Sequence, residues 1–511
     1  MSDWTEGYVA DIGYTFGYYA ELNPQRVKLA FLNAGYAFPA TGAACELGFG
    51  QGISVNVHAA ASVTRWYGTD FNPAQAGFAQ ELAQGCESGA QLFDESFDAF
   101  CNRPDLPDFD YIGLHGIWSW ISDENRTVIT DFIRRKLKVG GVLYISYNTQ
   151  PGWAAMAPLR DLLTEHAELM GAPGLGIVPR IDGSLDFAQK VLATDAAYAR
   201  ANPAVPKRLE QLKGQDRNYL AHEYFNRDWL PMSFSRMKGW LEDAKLTYVC
   251  SAHYLDHIDV INLNPEQQKL INEIPDRMFR ETVRDFLVNQ QFRRDYWVRG
   301  ARQLPMLDRL EMIRQQRLVQ VVTRSDISLK VSGALGEASL QEDIYGPVLD
   351  LMSDYKVRTI GEIEHALRES PLSFAQLMQI VVILVGKSAF HAAQDDADIK
   401  VAAKRTAKLN RELCLRARAL SANIALASPV TGGAVAVSRI EQLFILAIER
   451  KIASPVEWAR MVLSLLMEQG QRVVKAAVTL EDNAAQLEEL LSQATVFKER
   501  RLPLLQALRV C

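Results

Sequence analysis

A chain of 511 residues exceeds one ordinary domain, so two or three domains are expected. Hydrophobic residues make up 48% and charged residues 23%, the composition of a soluble globular protein. The formal net charge of −6 argues against a protein that holds nucleic acid through phosphate contacts, and no nucleic-acid partner is expected.

The amino-terminal segment lacks the basic start and apolar core of a signal peptide. Six cysteines are scattered without a C-x-x-C pair, which indicates reduced thiols in a cytoplasmic protein and no metal site. Residues 1–40 are predicted to form lid helices. The aromatic run YTFGYY places Tyr14 and Tyr18 on them, either as packing aromatics or as contacts to a substrate.

The next predicted element is a strand that ends in a glycine turn, within TGAACELGFGQG. The glycines Gly48, Gly50 and Gly52 precede a helix-like run, and this arrangement presents backbone N–H groups to a ligand at close range. The spacing G-x-G-x-G does not match the dinucleotide fingerprint, and the Gly-Lys-Ser/Thr of a phosphate-binding loop is absent. Glu46 would repel a pyrophosphate, but it suits the cationic amino-acid end of a ligand.

Four more strands follow, in RWYGTDFNP, GAQLFDES, FDYIGLHGIWSWI and LKVGGVLYISYNTQPGW. Asp70 ends the first of them, 22 residues beyond Gly48, where a carboxylate either caps a helix or accepts hydrogen bonds from ribose hydroxyls. Asp94 and Glu95 end the next, and His115 follows the third. Five such β–turn–α units predict a parallel, doubly wound sheet with ligands at the carboxyl ends of its strands.

CELGFGQG resembles motif I of the class I S-adenosylmethionine-dependent methyltransferases, and GTDFNP resembles their second motif. The resemblance implies an α/β fold with a Rossmann-like seven-stranded sheet and S-adenosyl-L-methionine as the cofactor. In that family the position of Asp94 contacts the adenine amino group. The resemblance implies these cofactor-binding residues: Glu46, Gly48, Phe49, Gly50, Gly52, Asp70, Phe71, Asn72, Asp94, Glu95, His115 and Gly116.

Five further stretches narrow the resemblance: YTFGYYAELNP, LHGIWSW, SYNTQPGW, YLAHEYFNRDW and LEDAKLTYVCSA. Together they are similar to a bacterial branch of methyltransferases with a regulatory domain, which contains the rickettsial protein-lysine methyltransferases of outer-membrane protein. The resemblance implies an enzyme that methylates lysine side chains of a protein acceptor. The residues expected to position that substrate are Tyr14, Tyr18, His115, Trp118, Tyr147 and Asn148. Two alternatives stay open, a small-molecule N- or O-methyltransferase and a non-catalytic regulator that binds S-adenosylmethionine.

The rest of the chain divides by its pattern. We predict a cofactor-binding core over 41–150, a helical insertion over 151–235, and completion of the methyltransferase sheet over 236–300. Residues 301–511 are expected to form a C-terminal α+β domain, for which a winged-helix-like module is one interpretation. The most apolar stretch, FAQLMQIVVILVG, is too short to span a bilayer and is predicted to be a buried helix. The oligomeric state stays open.

Overall fold

The computed structural model describes residues 5, 7–9, 12–39, 42–172, 174, 176–476 and 478–511. The strands of its large sheet are β1 (Ala43–Leu47), β2 (Arg65–Thr69), β3 (Gln91–Phe93), β4 (Phe109–Leu114), β5 (Leu137–Asn148), β6 (Leu246–Ser251) and β7 (Phe292–Arg299). Their spatial order is β3–β2–β1–β4–β5–β7–β6, and β7 runs antiparallel to both its neighbours. The other pairs are parallel. This sheet confirms the predicted α/β fold.

Helices cross between these strands on both faces of the sheet. They are α1 (Pro24–Ala34), α2 (Ile53–Ala61), α3 (Pro73–Cys86), α4 (Phe97–Cys101) and α5 (Asp123–Lys136). Their starts follow from local chemistry: the Asn72 side chain accepts from the N–H groups of Ala74 and Gln75, and Pro73 fills the first helical position of α3. The chain order reverses between β1 and β4, so a crevice opens at their carboxyl ends.

The segment before α1 differs from the predicted lid helices. Residues 12–19 contain no helix, and a single 3-10 turn over Ala20–Leu22 leads into α1. Glycines at positions 13 and 17 alternate with aromatic residues here, a composition that favours extended backbone over helix. We call residues 12–19 the N-terminal strap. The predicted boundary between residues 40 and 41 lies outside the described residues.

Beyond β5 the chain makes a helical excursion before it returns to the sheet. Its helices are α6 (Ala157–Leu169), α7 (Ile177–Ala193), α8 (Ala197–Ala201), α9 (Ala204–Lys213) and α10 (Arg217–Tyr224). They enclose a small apolar core of their own, which includes Trp153, Leu163 and Leu209. The helices that precede β7 are α11 (Phe234–Glu242), α12 (Asp259–Asn262), α13 (Pro265–Glu273) and α14 (Arg277–Leu287).

Residues 301–511 form an α+β assembly that we call the C-terminal module. Its helices are α15 (Met306–Arg314), α16 (Glu342–Met352), α17 (Ile360–Ala366), α18 (Phe374–Gly386), α19 (Asp396–Arg416), α20 (Arg439–Glu449), α21 (Pro455–Glu468), α22 (Asn483–Val496) and α23 (Leu502–Ala507). Its strands are β8 (Arg317–Gln320), β9 (Lys330–Gly333), β10 (Gly336–Ser339), β11 (Arg358–Thr359), β12 (Phe390–Ala392), β13 (Leu426–Ser428), β14 (Gly433–Val435), β15 (Val474–Lys475) and β16 (Val478–Thr479). The α18 helix is the buried helix that FAQLMQIVVILVG predicts.

The C-terminal module packs directly against α2, the helix that follows the glycine turn. Ile53 and Val57 are buried in the same apolar cluster as Leu409 of α19. The last carbonyl groups of α2, which have no partner within the helix, receive hydrogen bonds from the module. Thr406 Oγ1 donates to the Ala60 carbonyl at 3.1 Å, and Gln394 Nε2 donates to the Ala61 carbonyl at 2.7 Å. The module therefore completes the burial of α2.

A chain truncated after residue 300 should not keep the stability of the seven-stranded sheet. It exposes the apolar face of α2 and leaves the carbonyl groups at its end without protein donors. As a control, Thr406→Val removes a single one of these hydrogen bonds from the full chain and should cost about 1 kcal/mol. Thermal unfolding by circular dichroism and sedimentation measure the difference. A monomeric truncated chain with the unfolding midpoint of the whole protein would contradict this expectation.

Candidate functional site

A cleft opens at the carboxyl ends of β1, β2, β3 and β4. The turns after these strands supply Gly48 and Gly50, Asp70 and Phe71, Glu95, and His115 and Gly116. These are residues that the sequence analysis assigned to one ligand from separate motifs. The parallel sheet brings them together because it aligns the ends of these strands at one edge.

The glycine turn is held in place by Asp70. The Gly50 N–H donates to Asp70 Oδ2 at 2.8 Å, and the Asn72 N–H donates to Oδ1 at 3.0 Å. Gly48 and Gly50 have φ of +69° and +57°, in the left-handed region that favours glycine. A Cβ on Gly48 would stand 2.3 Å from the Ile117 side chain. The turn therefore stays narrow and leaves the space beside it open.

Glu46 lies beneath this turn and is buried with a carboxyl oxygen that lacks a hydrogen-bond partner among the described residues. Its side chain is 3% exposed, and its Oε2 has no hydrogen-bond partner among the described residues. Burial, with a smaller contribution from the Asp70 carboxylate, raises the pKa of Glu46 to about 8. Burial likewise raises the pKa of Asp70 to about 6. A cationic group in the cleft would favour the ionised form of Glu46.

Of the two acidic residues after β3, the structure places Glu95 at the cleft and Asp94 outside it. Asp94 is exposed and does not line the cavity. Glu95 Oε1 pairs with Arg103 at 2.6 Å, while its Oε2 is buried without a hydrogen-bond partner among the described residues. Glu95 is therefore the carboxylate in position to accept a hydrogen bond from a ligand.

His115 forms the floor of the cleft after β4. Its Nδ1 is 2.7 Å from the Tyr144 hydroxyl, and the Tyr19 ring stacks on it with centroids 3.7 Å apart. Burial lowers the pKa of His115 to about 4, so the imidazole is neutral at physiological pH. The Gly116 N–H donates to Ser146 Oγ at 2.8 Å, which fixes the turn.

Tyr8 and the N-terminal strap, together with α10, cover one side of the cleft. The ring of Tyr14 meets His222 of α10 edge-on at 5.0 Å, and the Tyr8 ring lies 5.3 Å from the same imidazole. Gln51 Nε2 donates to the Tyr14 carbonyl at 3.3 Å, which ties the strap to the glycine turn. Burial raises the pKa of the Tyr14 phenol well above its usual value, so this hydroxyl keeps its proton.

Seven of the predicted site residues do not line the cleft. Three come from the cofactor-binding set: Asp94 is exposed, and Gly52 and Asn72 are the N-cap residues of α2 and α3. The other four belong to the predicted substrate-positioning set. Tyr18 contacts His58, Trp118 donates to Met232 Sδ, and Tyr147 donates to Asp295. Asn148 is buried, and its N–H donates to Ser119 Oγ. None of these four side chains lines the cavity.

Several residues that line the cleft were not named from the sequence. They are Thr5, Tyr8, Tyr19, Gln75, Ser96, Phe97, Ile117, Trp120, Ile121, Ser122, Asn125 and Asp228. Phe97, Ile117 and Trp120 lie in the segments that follow β3 and β4. Their position shortly after a strand end is the sequence feature that would have identified them. Asp228 comes from the chain after α10, and only the folded insertion brings it to this edge.

Within the described ranges, no group of three or more His, Cys, Asp or Glu side chains could hold a metal ion. The pair His253 and His257 follows β6, where His257 Nε2 lies 2.8 Å from the Ser251 carbonyl. Among the described helices, none is long and apolar enough to cross a membrane.

Replacing Glu46 with glutamine should reduce the loss of stability that the ligand-free protein shows as the pH rises from about 4.5 to about 8. The folded protein holds the proton of Glu46 up to about pH 8, whereas the unfolded chain releases it near its ordinary pKa of 4.5. Unfolding therefore becomes easier as pH rises between these values, by a few kcal/mol at most, roughly 1.4 kcal/mol per pKa unit. Thermal midpoints between pH 6 and 9 test this. Equal declines in the two proteins would refute the raised pKa.

A protein-family model described as "Predicted methyltransferase regulatory domain" matches residues 216–299. An uncharacterised Synechocystis protein is 39% identical over 514 residues, which cover 99% of both chains. A Rickettsia prowazekii protein is 27% identical over 201 residues, 38% of this chain and 35% of that protein.

Among solved structures, PKMT2 from Rickettsia typhi in complex with AdoHcy has the same overall fold. The TM-score is 0.66 at 13% sequence identity, and the match covers 96% of this chain and 98% of that chain. The chain therefore belongs to the same family as the Synechocystis protein, carries a segment that matches the methyltransferase regulatory domain, and has the fold of PKMT2.

Proposed function

We propose that the protein binds S-adenosylmethionine in the cleft at the end of β1 and transfers its methyl group to lysine side chains of a protein acceptor. The observation that carries the cofactor site is the buried, unpaired carboxyl of Glu46 beneath a narrow glycine turn. Burial raises the pKa of this carboxyl to about 8, and the ammonium and sulfonium at the amino-acid end of S-adenosylmethionine would favour its ionised form.

Three carboxyl groups of the cleft match the polar parts of this cofactor. Glu46 would face the cationic end. Each oxygen of Asp70 accepts one backbone N–H and retains a lone pair for a ribose hydroxyl. The free Oε2 of Glu95 would accept from the adenine amino group. Phe97 and Ile117 supply apolar walls beside it.

The cofactor supplies a methyl group already activated by the sulfonium, so the protein has mainly to hold the acceptor in line with it. An aromatic surface of Tyr8, Tyr14 and Tyr19 covers the cleft beside the neutral His115. Their burial keeps the phenols protonated, so each can orient a neutral amine by a hydrogen bond. Aromatic faces also tolerate the cation that the methylated amine becomes.

Acidic groups near this aromatic surface suit an amine more than an alcohol. Asp228 lines the cleft. Glu223 of α10 lies close enough to Tyr8, Tyr14 and Tyr19 for its charge to raise the pKa of their phenols. Burial raises the pKa of Glu223 itself to about 7, so the Asp228 carboxylate is the group that would attract a protonated lysine from solvent. The low polarity of the enclosed cleft would then help the amine to lose its proton.

The protein acceptor rests on the resemblance to the rickettsial protein-lysine methyltransferases and on the full-length likeness to PKMT2. One observation favours the small-molecule alternative: all described residues that line the cleft lie between positions 5 and 228. The C-terminal module thus packs on α2 and does not border the cavity, so a small acceptor enclosed by the strap is the second candidate.

Asp70→Ala should weaken binding of S-adenosylhomocysteine about tenfold to a hundredfold, because it removes a charged acceptor worth about 1.5–3 kcal/mol. Asp110→Ala is a matched control, since Asp110 Oδ2 also accepts two backbone N–H groups, those of Gly42 and Ala43. These contacts lie at the opposite edge of the sheet, so Asp110→Ala should lower stability without weakening the binding of S-adenosylhomocysteine. Calorimetry measures both affinities. Unchanged affinity in folded Asp70→Ala would remove Asp70 from the cofactor site.

Tyr14→Phe should lower the turnover of the protein acceptor about tenfold, the effect of losing one hydrogen bond of roughly 1.4 kcal/mol in the transition state. Affinity for S-adenosylhomocysteine should stay nearly unchanged. Tyr67→Phe is the control, because the Tyr67 ring packs on Phe109 away from the cleft.

The assay incubates a lysate with the enzyme and methyl-labelled cofactor, then separates protein from small molecules and identifies methyl-lysine after hydrolysis. Label in protein as methyl-lysine supports the proposal. Label confined to small molecules establishes the second candidate. Cofactor binding without any transfer of label would leave the protein as a regulator.

A further inference from the structure

A second, smaller cavity lies between the N-terminal strap, α1 and the C-terminal module. Tyr18 and Asn23 line it from the amino-terminal side, Arg26 from α1, and His391 from β12. It is separate from the methyltransferase cleft, and no residue lines both cavities.

Arg26 is exceptional among the buried arginines. It is 8% exposed, its Nε is buried without a partner, and its guanidinium makes no hydrogen bond or ion pair with any described residue. The four other buried arginines that the structure describes all have acceptors: Arg126, Arg160, Arg293 and Arg439. Arg26 is thus buried without a hydrogen-bonded counter-charge, although Glu21 is close enough for the charges of Arg294 and Arg26 to lower its pKa against the effect of its burial.

The contacts that Arg26 makes offset only part of the free-energy cost of burying its charge. Its guanidinium lies over the Tyr254 ring at 4.6 Å, a cation–π contact. The nearby carboxylate of Glu21 pairs with Arg294 at 2.8 Å. No acidic residue lines the cavity. A buried charge without a partner is strongly unfavourable, so this position calls for an anion from outside the chain.

The other polar groups around the cavity are suited to the same ligand. Asn23 caps α1, so the positive end of the helix dipole lies beside the cavity. The Tyr18 hydroxyl and the His391 imidazole add groups that can donate hydrogen bonds. Val385 and Ala392 of the C-terminal module complete the wall, so the cavity exists only when the module is docked.

We propose that this cavity binds a small inorganic anion, a halide or a tetrahedral oxyanion, with Arg26 as its principal partner. The bound anion neutralises Arg26 and joins α1 and the strap to β12. Its effect is to stabilise the docked arrangement of the C-terminal module on the methyltransferase sheet. The proposal does not depend on the identity of the methyl acceptor.

Thermal unfolding of the full chain tests the site, with chloride or phosphate titrated against gluconate, a bulky reference anion, at constant ionic strength. The unfolding midpoint of the wild type should rise saturably with at least one of the small anions. In Arg26→Met the concentration that gives half of this rise should increase about tenfold to a hundredfold, because a charge-assisted contact is lost. Whether chloride or phosphate saturates at lower concentration distinguishes the halide from the oxyanion.

Arg309→Met is the matched control, since Arg309 donates to the carbonyls of Leu32 and Asn33 at the other end of α1. It should destabilise the protein while keeping the anion dependence, which separates a specific site from general salt effects. Equal anion dependence in wild type and Arg26→Met, or none in wild type, would overturn the proposal. If Arg26→Met does not fold, the chloride NMR linewidth of the wild type decides: broadening that phosphate reverses supports the site, and its absence overturns it.

Discussion

The hydrogen bonds between the turns after β1 and β2 are the constraint on which the cleft depends. Asp70 accepts from the Gly50 N–H, and the Gly48 N–H donates to the Thr69 carbonyl at 2.8 Å. These contacts hold two loops from adjacent parallel strands in one shape, with glycine in conformations that other residues rarely adopt. The open space left beside the turn is where Glu46, Glu95 and His115 converge.

Buried ionisable side chains in this molecule differ in whether the fold itself supplies their partners. Arg293 is deeply buried and pairs with Asp285, Asp295 and Glu281, so its charge is balanced within the fold. Glu46 and Arg26 have no ion-pair partner among the described residues. Glu46 avoids the cost of a buried charge because its raised pKa of about 8 keeps it protonated, and a cation beside Glu46 or an anion beside Arg26 would compensate the charged form.

The C-terminal module packs behind the cleft but does not line it. It was expected as a separate domain, yet it covers α2 and supplies hydrogen bonds to the end of that helix. Because α2 begins at the glycine turn, the module supports the cleft from behind while contributing no described residue to its lining. Stability of the turn and docking of the module are therefore physically linked.

The sequence by itself determined the sheet and the cofactor edge, because both depend on local features. Alternating strands, a glycine turn and the distance from Gly48 to Asp70 are properties of short segments, and parallel strands must bring their carboxyl ends together. Asp94 and Glu95 were not separable this way, because adjacent residues in a turn point in different directions. The folded structure places Glu95 at the cleft and Asp94 outside it.

Only the tertiary structure decided which aromatic residues face the cavity. Tyr14 lines the cleft, whereas Tyr18, four residues later on the same strap, turns toward His58. Trp118 and Tyr147 lie near strand ends but pack into the core beneath them. The direction of a side chain at a loop or strand end depends on backbone angles and on packing partners distant in sequence. The sequence around the strap does not include those packing partners, because α10 and the C-terminal module contact the strap only after the whole chain has folded.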